Sequence, residues 1–343
     1  MQNWSREDRI AFLGELPLVD LHRHFDGSVR PNTLWNLSQT YYSAIPGLDF
    51  DGFRSKLTYD PEKDSTLLDY LDKFHIPLQY TQFFDNIQTI AEEIADDAYD
   101  EGIRLLELRI NPTIHRRAGL TSRQCLTAVR KGLRASMKRH PDLQVGIIVI
   151  AMRNHGGNMA KILLREVVGE KAEWHSDIGV VGYDIAGPER PFPPLLFEEP
   201  FKLAKKMGFK RTVHAGEDEG PHAVWQAIDL LDANRIGHGT SAVLDPKLVK
   251  RLAADQIAVE VCMTSNLQTG AVKDLKEHPL PVFLEAGIPV CISTDNPTVS
   301  GVTLRDEFLL AIELFGLSEA DVRKLVRFSH EHAFIPSKAP LPA

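Results

Sequence analysis

The sequence is poor in cysteine: Cys125, Cys262 and Cys291 are the only three in 343 residues, far apart and never paired as CxxC. That argues against a disulfide framework and against a cysteine-based zinc site. Positive charge is not in excess. The net charge is −8, whereas a general binder of nucleic acid or of anionic membranes carries clustered basic residues. No apolar run reaches the roughly 20 residues of a membrane-spanning helix. The opening segment, residues 1–17, is charged and lacks the apolar centre of a secretion signal. No repeat, low-complexity tract or linker divides the chain. These absences set the expectations: a cytoplasmic protein, one domain over residues 1–343, no nucleic-acid or membrane partner, and no oligomeric state specified.

What is present is an ordinary globular composition, 43% apolar and 25% charged, enough to bury a large core. Eight short aliphatic runs read as strands: residues 18–25, 105–110, 145–152, 180–186, 211–215, 235–239, 258–264 and 289–294. Several are apolar almost throughout, as parallel strands covered by helices are. Amphipathic stretches lie between them, such as 199–207 and 221–231, each with proline in its first turn, where the missing N–H is harmless. Alternating units of this number predict an α/β fold, either a closed (β/α)8 barrel or an open doubly wound sheet. The first, fifth, sixth and eighth runs carry His or Asp at or near their C-terminal ends. A barrel brings those ends to one mouth; an open sheet would leave them at opposite edges. The expectation is a (β/α)8 TIM-type barrel with a long helical insertion after strand 1, between Asp26 and Arg104. Within it, residues 65–74 have helical apolar spacing. They read as part of a lid, or as Leu68, Leu71 and Phe74 packing on the scaffold.

The polar residues at the strand ends carry the chemistry. His22 and His24, two apart on a strand, point to one face. His214 sits on an apolar strand with Glu217 just beyond it, His238 lies between two glycines, and Asp295 ends the last strand. Each alone has an ordinary reading as a core histidine, a helix cap or a turn aspartate. Together, three imidazoles and one carboxylate form a donor set suited to Zn²⁺ or a similar dication. Glu217 and His238 remain beside it, as hydrolysis with a polarised water requires.

These segments resemble a known family. HRHFDG at 22–27, DIAGPE at 184–189, TVHAGE at 212–217, RIGHG at 235–239, TSNLQTG at 264–270 and STDNP at 293–297 resemble, in order, the signature segments of adenosine deaminases. The resemblance runs from about residue 16 to residue 336. It implies a (β/α)8 barrel with one Zn²⁺ per chain on His22, His24, His214 and Asp295. It implies a small-molecule purine nucleoside as the substrate, with Glu217 serving N1 of the purine and His238 beside the attacking water. It further implies Gly187 N–H at purine N3 and Asp26 at the ribose. Arg153, in AMRNHGG, aligns with an arginine common in the family and has no role assigned.

The chain departs from many members at Asn296, where they have aspartate facing purine N7. N7 is an acceptor, and an asparagine amide can donate to it at any pH, whereas aspartate must first hold a proton. The expected reaction is hydrolytic attack at C6, with His238 and Asp295 accepting or orienting the water's proton and a protonated Glu217 acting on N1. The alternatives are deamination of adenine, aminodeoxyfutalosine or a modified adenosine, a two-metal hydrolase, and a catalytically inactive purine-binding barrel. A two-metal site often uses a modified lysine on the fourth strand, and residues 180–187 contain none.

Overall fold

The structure, a computed structural model, describes residues 4–41, 48–64, 66–170 and 178–339. Eight parallel strands run in sequence order around one sheet: β1 Leu18–His24, β2 Ile103–Ile110, β3 Gln144–Met152, β4 Val180–Ala186, β5 Lys210–Ala215, β6 Arg235–His238, β7 Ala258–Val261 and β8 Val290–Ile292. The ring closes just past β8. Arg23 and Asp295 form a parallel bridge; Asp295 N donates to His22 O at 2.7 Å, and His24 N donates to Asp295 O at 2.8 Å. The hydrogen bonds that complete the (β/α)8 barrel therefore also fix three of the predicted metal ligands against one another.

Helices wrap the outside, including Phe84–Asp100, Ser122–Arg139, Gly156–Val167, Glu198–Lys206 and Glu319–His332. Their apolar stripes cover the outward side chains of the strands, so Leu106, Ile147, Val149 and Val213 are fully buried. Two-sided burial explains the unbroken aliphatic runs seen in the sequence. No helix among the described residues is long and apolar enough to cross a membrane.

Two expectations need correction. The seventh strand was expected to run to residue 264, but it ends at Val261 and helix Met263–Gln268 follows. The buried Glu307 carboxylate accepts from Met263 N at 2.9 Å and Thr264 N at 3.2 Å, holding the start of that helix. The turn swings Ser265 and Asn266 into the barrel mouth. In the insertion, the helix is shorter, Leu67–Asp72, capped by Thr66 with a reciprocal bond to Asp69; Ser65 lies outside the described residues. Leu68 does not pack on the scaffold and is 68% exposed, while Tyr70, which the apolar spacing passes over, is the buried side chain. Its hydroxyl lies 2.8 Å from Ser300 Oγ, so the insertion reaches the loop that follows Asp295.

Candidate active site

His22, His24, His214 and Asp295 converge, each offering one ligand atom within 4.8 Å of the others. The three Nε2 atoms lie 3.0–3.2 Å apart. Asp295 Oδ1 is 3.5 Å from His22 Nε2 and 3.2 Å from His24 Nε2. A tetrahedral ion with bonds of about 2.0–2.2 Å sets its donors about 3.3–3.6 Å apart, so the set fits one ion. Three of these ligands also have neighbours behind them. His22 Nδ1 is 2.9 Å from Glu260 Oε2, His214 Nδ1 is 2.9 Å from Asp184 Oδ2, and Ser265 Oγ donates to Asp295 Oδ2 at 2.6 Å. A carboxylate only accepts, so each of these imidazoles carries its proton on Nδ1 and turns a bare Nε2 toward the centre. Burial holds His24 and His214 below the usual imidazole range, which keeps them neutral and able to ligate.

Beneath the ligands lies a chain of ion pairs. Arg109 meets Asp184 at 2.6 Å and also pairs with Glu260; Arg235 bonds Glu260 and Glu107 at 2.6 Å each. All five side chains are fully buried or nearly so. With the imidazoles neutral, as metal ligation requires of His22 too although, against burial, Asp295 and Glu260 raise it when no metal is bound, four carboxylates here (Glu107, Asp184, Glu260, Asp295) face two guanidiniums. The deficit of two positive charges is the charge of one dication.

Glu217 follows β5 on a loop held by a second carboxylate. Glu189 accepts from the backbone N–H groups of Gly216, Glu217, Asp218 and Glu219 at 2.9–3.2 Å. Arg153 fastens the same loop from below, donating to His214 O at 2.6 Å and lying 3.9 Å from Glu189. Glu217 is pushed up to about 8, first by burial and then by the nearby negative charges of Asp295 and Glu189. Its Oε2 lies 3.6 Å from His238 Nε2. His238 and Asp295 both hold left-handed backbone, with φ of 63° and 65°. Such strain in non-glycine residues gathers at functional positions. Gly237 explains part of the close packing: a Cβ there would come within 3.0 Å of His22 Cε1.

Three further predicted residues line the loops around this centre. Asn296 is buried with its amide against Gly27, where an added Cβ would lie 2.0 Å from Asn296 Oδ1. The glycine of HRHFDG thus makes room for this side chain. Gly187 follows β4 with φ 101° and lies beside Met152 and Arg153. Asp26 follows β1, and its Oδ1 is 3.0 Å from Nε2 of the buried His115.

Sequence reasoning missed His115, Glu189, Asn266, His278 and the ion-pair chain. The ion pairs left a visible trace, since Glu107 and Arg109 alternate within the apolar run LLELRI and Asp184 and Glu260 interrupt two others. A charge in a strand buried on both faces needs a partner. The loop residues left no periodic trace.

Comparison with known proteins agrees with this geometry. The family profile described as adenosine deaminase matches residues 17–341. An adenosine deaminase of Shewanella loihica is 36% identical over 93% of this chain and 95% of its own length. Among solved structures, an adenine deaminase of Arthrobacter aurescens superposes with a TM-score of 0.84 at 25% identity, covering 93% of this chain and 94% of that one. An amidohydrolase from Burkholderia ambifaria with bound zinc gives a TM-score of 0.85 at 26% identity, covering 97% of this chain and 89% of that one. The chain belongs to the adenosine deaminase family.

Proposed function

We propose that the protein catalyses the hydrolytic deamination of a 6-aminopurine nucleoside, adenosine or 2′-deoxyadenosine, giving the inosine-type product and ammonia. The observation that carries this reading is a largely buried carboxyl, Glu217, pushed up to about 8 and set beside a three-histidine, one-aspartate donor group. Zn²⁺, one per chain on His22, His24, His214 and Asp295, supplies a water acidic enough to act near neutral pH. The protein's own residues do the rest. Glu217 gives its proton to N1 as the C6–O bond forms, which removes the negative charge that addition places on the ring. His238 faces the attacking oxygen. Asn296 donates to N7, Gly187 N–H to N3, and Asp26 accepts from a ribose hydroxyl. The C6–N bond then breaks as the C6–OH becomes a carbonyl: the amino group takes the proton that water gave up on addition and leaves as ammonia, and the hydroxyl proton restores Glu217.

An ultraviolet assay against adenosine, 2′-deoxyadenosine, adenine, AMP and aminodeoxyfutalosine tests the reading. The two nucleosides should show the highest kcat/KM. A clear preference for adenine would overturn the ribose contact assigned to Asp26, and no turnover of any aminopurine would overturn deamination itself.

A further inference from the structure

Three buried histidines stand around the centre, yet what lies behind Nδ1 differs among them. His22 and His214 each face a carboxylate, Glu260 and Asp184. His238 faces an amide: Asn266 Nδ2 lies 3.0 Å from His238 Nδ1. The other end of that amide, Oδ1, lies 3.2 Å from Nε2 of His278. His278 in turn receives a backbone bond, with Leu280 N donating to its Nδ1 at 3.1 Å. Asn266 is fully buried, His238 is 1% exposed and His278 is 3% exposed, so solvent offers these groups few other partners.

One polarity satisfies this chain. A backbone N–H can only donate, so His278 Nδ1 is bare. Burial holds His278 down to about 4, so it stays neutral and carries its proton on Nε2. That N–H must meet an acceptor, which sets Asn266 with its oxygen toward His278 and its NH₂ toward His238. His238 Nδ1 is then the acceptor, and its proton sits on Nε2. The peptide N–H of Leu280, at the start of helix Leu280–Glu285, thereby dictates the tautomer of an imidazole three bonds along.

We propose that Asn266 and His278 are positioning residues that hold His238 as the Nε2–H tautomer, so that His238 donates a hydrogen bond to the attacking oxygen and does not take its proton. A carboxylate behind Nδ1 turns an imidazole into a metal ligand, as at His22 and His214. An amide behind Nδ1 turns it into a donor, which is why His238 stands beside the ligands, its ring centroid 4.9 Å from that of His22, without joining them. Both nitrogens of His238 are occupied in this state, one by a proton and one by the amide. The proton lost by water therefore passes to a group other than His238. The kinetic part of this proposal rests on the deaminase reading; the tautomer itself does not.

The test is ¹⁵N-histidine NMR of the whole enzyme, with and without metal, using His238→Gln to assign the resonance. The native protein should show His238 with a protonated Nε2 and an unprotonated Nδ1. A protonated Nδ1 would overturn the proposal, whatever the enzyme turns over. Asn266→Asp replaces the donor by an acceptor and should flip His238 to the Nδ1–H form, lowering kcat by roughly 10²–10³-fold with little change in KM, as loss of one donor to a developing charge does. His278→Gln keeps a donor for Asn266 Oδ1 and should retain the native tautomer and most of kcat, whereas His278→Phe should lose both. An Asn266→Asp enzyme that keeps the Nε2–H signal or native kcat would contradict the assignment. If no aminopurine is turned over, the NMR result still decides the tautomer, and only the deaminase reading falls.

Discussion

Two polar layers stack inside this barrel, and they obey opposite rules. In the deeper layer every charge has a partner: Glu107, Arg235, Glu260, Arg109 and Asp184 form a chain with alternating sign. In the layer above, at the strand ends, four electron-pair donors face one another at 3.0–3.5 Å with no positive group between them. Like groups at that distance repel, and burial removes the water that would screen them. The contrast separates a scaffold from a site. Each deep charge has an opposite partner, with one negative charge left over, whereas the upper donors have no positive partner within the protein. The two are joined through His22 and His214, whose tautomers the deep carboxylates fix.

Breaking the upper layer should have the largest effect. Asp295→Ala or His214→Ala removes a metal donor and should abolish both bound metal and turnover. The fall should exceed the roughly 10⁴-fold upper range of a general acid, because nucleophile generation goes too. Elemental analysis beside the ultraviolet assay checks it. Loss of the acid comes next. Glu217→Gln should keep metal and ligand binding while kcat drops about 10²–10⁴-fold. Its pH profile has a defined sign. The carboxyl, raised to about 8, is protonated below that value, so native kcat/KM should fall as pH rises through about 8. The Gln variant should lack that limb; a native profile in the variant would remove Glu217 from proton transfer.

The deep layer should respond differently. Glu260→Gln leaves Arg109 and Arg235 short of a charge and keeps one acceptor oxygen where His22, Thr212 and the two guanidiniums now share two. It should cost about 3–5 kcal/mol of stability, read by denaturant unfolding, and about 10–100-fold in metal affinity, read by competition with a chelator. A variant as stable as native with unchanged affinity would show that the two layers are independent. The smallest effect belongs to Asn296, assigned to purine N7 in the proposed reaction. Asn296→Ala should lower kcat/KM by the equivalent of about 1–3 kcal/mol, and native enzyme should disfavour 7-deazaadenosine more than the variant does. Equal discrimination by both would move N7 away from this side chain.

The upper layer was legible in the sequence because its members are chemically rare at strand ends and sit in compact motifs. HRH, HAGE, GHG and TDN announce themselves within a few residues. The deep layer was less so: Glu260 meets Arg109 across 151 positions of sequence, and no local pattern encodes that pairing. The strands were legible from their aliphatic runs, except where β7 ends, because the carboxylate that holds the next helix comes from Glu307 on another element. In the insertion, apolar spacing pointed to Leu68, and the structure buries Tyr70, a residue that spends its hydroxyl on Ser300. His115, Glu189, Asn266 and His278 act through long-range contacts made from loops and short helices, which periodicity does not report.

The most direct test of the account is the metal content of the native protein after gentle purification. The charge deficit and the four convergent donors predict close to one equivalent of a dication per chain, mostly zinc, whose removal abolishes deamination and whose return restores it. Two equivalents needed for activity, or full activity with none, would contradict the claim that the upper layer is a site for one ion.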